Sequence, residues 1–207
     1  MHRTRIKICG LTREEDVCAA VNAGADAIGF VFYPPSPRFV PFERAAQLAR
    51  LIPPFVTTVG LFVEPGRDFV KAALAHVPLQ VLQFHGDEAE SDCTGFGLPY
   101  IKAARMRPGL DLLKYAASFP GAQGLLLDAF VEGYGGGGET FDWSLIPDKL
   151  PMPLILSGGL NEANVTEAVQ RVRPWAVDVS SGVESAKGIK DAARITDFVA
   201  GVQHAHG

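Results

Sequence analysis

Apolar positions along the chain fall into two alternating rhythms. Short apolar runs at 5–9, 27–32, 57–62, 80–84, 100–103, 124–127, 154–156 and 176–179 read as strands. Between them, apolar residues recur at the i, i+3, i+4, i+7 spacing of one helix face. Ala45, Leu48, Ala49 and Ile52 form such a stripe, as do Val70, Ala73, Leu74 and Val77. Val165, Ala168, Val169 and Val172 form a third, and Ile195, Phe198, Val199 and Val202 a fourth. Thr12-Arg13-Glu14-Glu15 has capping-box spacing for a first helix, and Gly24 stands where a helix-ending glycine belongs. Segment 88–97 carries the poorest helical periodicity. Eight strand-and-helix units in 207 residues predict an α/β protein, a single (β/α)8 TIM barrel with residues 1–207 as one domain. An open doubly wound sheet is the competing architecture. It would normally hold fewer strands, and no dinucleotide fingerprint follows the first strand.

Alternation within the strands divides the barrel into an outer and an inner face, because successive side chains point oppositely. Ile6 and Ile8 oppose Lys7 and Cys9; Leu82 and Phe84 oppose Gln83 and His85. Ile101 and Ala103 oppose Lys102; Leu125 and Leu127 oppose Leu126 and Asp128; Val177 and Val179 oppose Asp178 and Ser180. If the apolar parity packs on the helices, then Cys9, His85, Lys102, Asp128, Asp178 and Ser180 point inward. Most of them fall at C-terminal strand ends, the face that carries active sites in this fold. The bland alternative for any one of them is a satisfied polar core.

Composition narrows the classes. Hydrophobic residues make up 47% and charged residues 20%, an ordinary globular mix. No apolar run reaches the roughly 18 residues of a membrane span, and no signal-peptide pattern opens the chain. A net charge of -4 without a basic run argues against nucleic acid as a partner. Three cysteines without ligand spacing argue against a disulfide scaffold and for the cytoplasm. No second histidine stands at ligand spacing to His85, so no metal is expected.

Two loops then suggest the ligand. Ser157-Gly158-Gly159-Leu160-Asn161 follows the seventh strand, and Ser180-Ser181-Gly182-Val183 follows the eighth. Glycine lets backbone N–H groups approach a phosphate, and loops after strands seven and eight are its usual seat in such barrels. Either loop alone could merely satisfy turn geometry. Cys9 ends the first strand before a glycine turn. A lone cysteine is most often a small buried hydrophobe, but this placement can expose a thiolate to substrate, with Lys7 as a candidate cation to favour it. Asp128 follows three leucines, at the edge of an apolar wall where partial desolvation favours a protonated general acid. A loop-ordering aspartate is the alternative. Arg38, in the proline-rich stretch Tyr33-Pro34-Pro35-Ser36-Pro37-Arg38, can clamp a carboxylate bidentately. Gly133-Tyr134-Gly135-Gly136-Gly137-Gly138-Glu139 fits GxGxxG in form. It lacks the following helix pattern, so an active-site loop or lid is the better reading.

Together these motifs resemble the phosphoribosylanthranilate isomerase family. The matching pieces are Lys7-Ile8-Cys9-Gly10-Leu11-Thr12, Gly24-Ala25-Asp26-Ala27-Ile28-Gly29-Phe30, Ser36-Pro37-Arg38 and Gln83-Phe84-His85-Gly86-Asp87-Glu88. Later come Leu127-Asp128, Thr140-Phe141-Asp142-Trp143, Ser157-Gly158-Gly159-Leu160 and Asp178-Val179-Ser180-Ser181-Gly182-Val183-Glu184. The resemblance implies an Amadori rearrangement of N-(5-phosphoribosyl)anthranilate in tryptophan biosynthesis, with no cofactor and a small phosphosugar as the only ligand partner. It implies Cys9 as base, Asp128 as acid, Arg38 on the anthranilate carboxylate, and Gly158, Gly159, Ser181 and Gly182 on the phosphate. His85 and Asp178 match family positions that orient the substrate or the acid. A monomer or a homodimer fits equally. Departures are Phe84 for a frequent Leu, Gly137 and Glu139 for Thr and Lys, and Lys187 for Pro before Gly188. Another phosphosugar barrel, such as indole-glycerol-phosphate synthase or the aminoaldose isomerase of histidine synthesis, and a non-catalytic phosphate-binding barrel remain the alternatives. Cys9 at the end of the first strand, where the histidine-pathway enzyme would carry aspartate, speaks against the latter enzyme.

Overall fold

The computed structural model describes residues 3–107, 109–129 and 140–206. Its strands β1 (Arg5–Cys9), β2 (Ala27–Val31), β3 (Thr57–Phe62), β4 (Val81–Phe84), β5 (Tyr100–Met106), β6 (Gly124–Ala129), β7 (Leu154–Leu156) and β8 (Ala176–Val179) pair in sequence order, all parallel. β8 pairs back onto β1, with Asp178 beside Lys7, and closes the barrel. Helices α1 (Glu14–Ala23), α2 (Phe42–Ala49), α3 (Arg67–His76), α4 (Glu90–Cys93), α5 (Leu112–Ala117), α6 (Val165–Val172) and α7 (Ala192–His204) follow β1, β2, β3, β4, β5, β7 and β8. Between β6 and β7 the described residues hold only a 3-10 turn, Trp143–Leu145. The glycine-rich stretch 133–139, expected to serve as a loop or lid, lies outside the described residues.

Each stripe foreseen along the helices faces the sheet. Leu48, Val70, Val165 and Phe198 join Ile6, Ile8, Phe30, Leu82, Phe84 and Val177 in one core between sheet and helices. Each such side chain contributes about 1.5–3 kcal/mol by leaving water. Inside the barrel, Ala103, Leu126, Ile155 and Ala176 form a small apolar plug. Above it Cys9 packs with Val31, Leu61 and Val63.

Two expectations need correction, and one element is additional. The capping box of α1 does not form: Thr12 Oγ1 donates instead to Gly188 O at 3.1 Å, and Arg13 occupies the cap without a side-chain bond. Gly24 does end the helix, at φ 98°, with its N–H on the Ala20 and Val21 carbonyls. On β5 the faces are reversed. Lys102 is in register with Phe84 and Leu125, both outward, whereas Ala103 is in register with inward Leu126. Lys102 therefore lies buried under the helices, because an ion pair with Glu88 satisfies it there. Finally, a hairpin of β9 (Glu184–Ala186) and β10 (Ile189–Lys190) follows β8 ahead of α7.

Candidate active site

Inward positions at the strand ends bring most of the expected residues to one mouth. On β1, Lys7 Nζ donates to Asp178 Oδ1 at 2.7 Å, with both side chains buried. Ser157 Oγ donates to the other Asp178 oxygen at 3.3 Å. Burial opposes the Lys7 charge, but Asp178 and the Cys9 sulfur outweigh it, and the ammonium pKa is raised.

Cys9 sits against β2 at a position that only glycine vacates. A Cβ on Gly29 would stand 2.8 Å from Cys9 Sγ and 3.1 Å from Lys7 Cε. Burial pushes the thiol pKa up. Lys7 and Lys190 pull it down and Asp178 adds to the rise, so the net shift is upward. The neighbouring cation is thus present as expected, but desolvation outweighs it.

On the far side of the mouth, across β7 and β8, Asp128 Oδ2 lies 3.0 Å from His85 Nε2. The Asp128 side chain keeps 17% of its surface exposed, so a ligand can reach it. Gln83, on the same face of β4, places its amide nitrogen 3.0 Å from His85 Nδ1. His85 thus bridges the two side chains, with Nδ1 toward Gln83 and Nε2 toward Asp128.

Arg38 reaches the mouth from the loop after β2, over the Gly10 turn. Its Nε and Nη2 donate to Glu184 Oε1 and Oε2 at 2.7 and 2.9 Å. The expected bidentate face is therefore turned on a protein carboxylate, leaving Nη1 for a ligand. Lys190 Nζ donates to the same Glu184 Oε1 at 2.9 Å and to Ser180 O at 2.9 Å. Ser180 Oγ in turn donates to Cys9 O at 3.0 Å. Burial works against the Glu184 charge, but Arg38 and Lys190 overcome it and hold its pKa below the usual range. Desolvation lowers the Lys190 pKa despite Glu184.

The two glycine loops pack side by side. Gly158 and Gly159 adopt φ +81° and +65°. A Cβ on Gly158 would stand 2.3 Å from Ala129 N and 3.0 Å from Asp128 Oδ1, so this loop abuts the acid's strand end. A Cβ on Gly182 would stand 1.9 Å from Leu160 O. Asn164 Nδ2 donates to Gly159 O at 2.9 Å and its Oδ1 accepts from Asn161 N, bracing the first loop ahead of α6. Ser181 opens a 3-10 turn, Ser181–Val183.

Cys9, Asp128, His85, Asp178, Arg38 and both glycine loops thus share the C-terminal mouth, and Ser180 lies beside Cys9. Lys102 does not. Glu184 and Lys190 carried no expected role, and neither did Gly29 or Gln83. Gln83 shares the inward parity of His85, a signal visible in the strand alternation. Among the described residues, no group of three or more His, Cys, Asp or Glu is arranged to hold a metal, and no helix is long and apolar enough to cross a membrane.

This is a closed barrel of eight parallel strands with helices between them, whose C-terminal mouth gathers a thiol, carboxylates and an imidazole beside two glycine loops. A family model described as N-(5'-phosphoribosyl)anthranilate (PRA) isomerase matches residues 6–201, and the chain belongs to that family. An N-(5'-phosphoribosyl)anthranilate isomerase of Dechloromonas aromatica (strain RCB) is 66% identical over 203 residues, covering 98% of each chain. The crystal structure of phosphoribosyl anthranilate isomerase from Thermotoga maritima matches with TM-score 0.89 and 41% identity, covering 97% of this chain and 99% of that one. Another solved isomerase, in complex with reduced 1-(o-carboxyphenylamino)-1-deoxyribulose 5-phosphate, matches with TM-score 0.86 and 38% identity over 97% and 99%.

Proposed function

We propose that Cys9 and Asp128 are the base and acid of this isomerase, working on N-(5-phosphoribosyl)anthranilate held by the glycine loops. The observation that carries this is their placement. A thiol beside Lys7 and a reachable carboxyl beside His85 face one mouth from β1 and β6, with the paired loops on β7 and β8 between them. A sugar phosphate seated on Gly158, Gly159, Ser181 and Gly182 spans from one group to the other.

The reaction needs both. Asp128, protonated, gives its proton to the furanose ring oxygen, the C1–O bond breaks, and a protonated Schiff base forms. Cys9, as thiolate, removes the proton on C2, giving the enolamine, which tautomerises to 1-(2-carboxyphenylamino)-1-deoxyribulose 5-phosphate. Each positioned proton transfer contributes about 10²–10⁴ in rate. A raised thiol pKa makes the thiolate a stronger base at the expense of its population, and Lys7 recovers part of that population.

Arg38 offers Nη1 to the anthranilate carboxylate, with its orientation fixed by Glu184. Asp178 holds Lys7 toward Cys9 and faces the substrate from β8. The chain acts as one barrel domain, monomeric or homodimeric, in the cytoplasm, where its free Cys9, Cys18 and Cys93 stay reduced. The test is the decay of anthranilate-type fluorescence with freshly generated phosphoribosylanthranilate, run with chelator and no added cofactor. Rapid enzyme-dependent decay to the aminoketone supports the account. Binding of phosphate analogues without turnover contradicts it.

A further inference from the structure

We infer that the buried Glu88–Lys102 pair, on the outside of the barrel, is a positioning pair that aims His85 at Asp128. Lys102 occupies an outward register between Phe84 and Leu125, in an otherwise apolar layer. Its Nζ is 3.0 Å from Glu88 Oε2, and the side chains are 0% and 2% exposed.

The bonds of this pair converge on the backbone of one residue, from the two peptide groups that flank its α-carbon. Gly86 N donates to both Glu88 oxygens at 3.0 and 2.9 Å, and Gly86 O accepts from Lys102 Nζ at 2.6 Å. Gly86 follows His85 directly. Glu88 Oε1 also accepts from Glu64 N at 2.8 Å, tying the turn to the end of β3. Lys102 completes its shell with Ala103 O at 3.3 Å. A Cβ on Gly86 would stand 2.9 Å from Glu88 Oε1, so glycine is what lets the carboxylate close over the backbone.

His85 N is itself held by Phe62 O at 2.8 Å. With its backbone held on both sides and Gln83 3.0 Å from its Nδ1, the imidazole places Nε2 3.0 Å from Asp128.

The charges as such are not what stability requires here, although Gly86 N, Gly86 O and Glu64 N do take their partners from this pair. Replacing a buried ion pair by apolar side chains of similar volume is often neutral or stabilising. Its bonds instead specify the turn that carries His85. A shift of about 1 Å at a catalytic group can cost on the order of 10²-fold in rate.

The inference rests on Asp128 being the acid, and a double-mutant cycle tests it separately from that premise. The double variant Glu88→Leu/Lys102→Met removes both charges together and leaves neither ion unpaired. We expect it to fold, with kcat lowered roughly 10–100-fold and KM within about twofold. In a His85→Ala background the same double change should cost at most about twofold more, because both act through one ring. Lys102→Arg, which keeps the charge but changes its shape, should lower kcat in the same direction and serves if the double variant does not fold. An unchanged kcat in a folded variant overturns the inference, as does a loss that simply adds to that of His85→Ala. Failure of the premise is read separately, as full turnover by Asp128→Asn.

Discussion

The α-carbon of Gly182 lies so close to the Leu160 carbonyl that a Cβ there would stand 1.9 Å from the oxygen. The loops after β7 and β8 are therefore one surface, and a methyl group between them must part them. Gly182→Ala is expected to raise KM at least about tenfold and to weaken inhibition by inorganic phosphate in parallel, with a smaller change in kcat. Steady-state kinetics with phosphate as competitor checks this. An unchanged KM would mean that the phosphate does not depend on how these loops meet.

The thiol makes a prediction about pH. Burial holds Cys9 above the ordinary thiol value of 9.0, against the pull of Lys7. Alkylation of Cys9 by iodoacetamide, followed site by site by mass spectrometry, should therefore rise with pH to a midpoint above 9.0. Exposed Cys18 serves as the internal comparison. Lys7→Met removes the largest lowering influence, so the Cys9 midpoint should move further up and the rate at pH 7 should fall. A midpoint below 9.0, or one indifferent to Lys7, contradicts this electrostatic picture.

The faces of β1, β4 and β8 were legible because a polar residue alternates with an apolar one, and that of β6 from Asp128 alone, at the parity opposite Leu125 and Leu127. On β5 the same rule gave the wrong face. Ile101 and Ala103 fill the narrow interior while Lys102 finds Glu88 among the outer side chains. Alternation reports polarity, and a fully paired buried charge inverts it. The cluster of Arg38, Glu184 and Lys190 was silent for another reason. Arg38 and Glu184 are 146 residues apart, and no local pattern encodes such a meeting. The β9–β10 hairpin has strands of three and two residues, too short for any period to show.

That cluster also predicts an acid sensitivity. Arg38 and Lys190 hold the folded-state pKa of Glu184 below its ordinary value of 4.5. The stabilisation that follows is fully present above pH 4.5 and is lost as pH falls through the lowered folded-state value. Glu184→Gln should lower stability at pH 7 and flatten the fall in stability below pH 4.5. Urea unfolding at a series of pH values measures both. A variant whose stability falls with acid as steeply as the parent would exclude Glu184 as a linked group.

The most direct test of the account compares Cys9→Ser and Asp128→Asn with the parent enzyme in single-turnover fluorescence decay, alongside binding of a reduced, unreactive product analogue. Each substitution keeps the side chain's shape and removes its acid–base function. The expected result is a rate constant lowered about 10²–10⁴-fold in each variant, with analogue affinity held within a few-fold. Turnover within about twofold of the parent by either folded variant would contradict the assignment of base to Cys9 or of acid to Asp128.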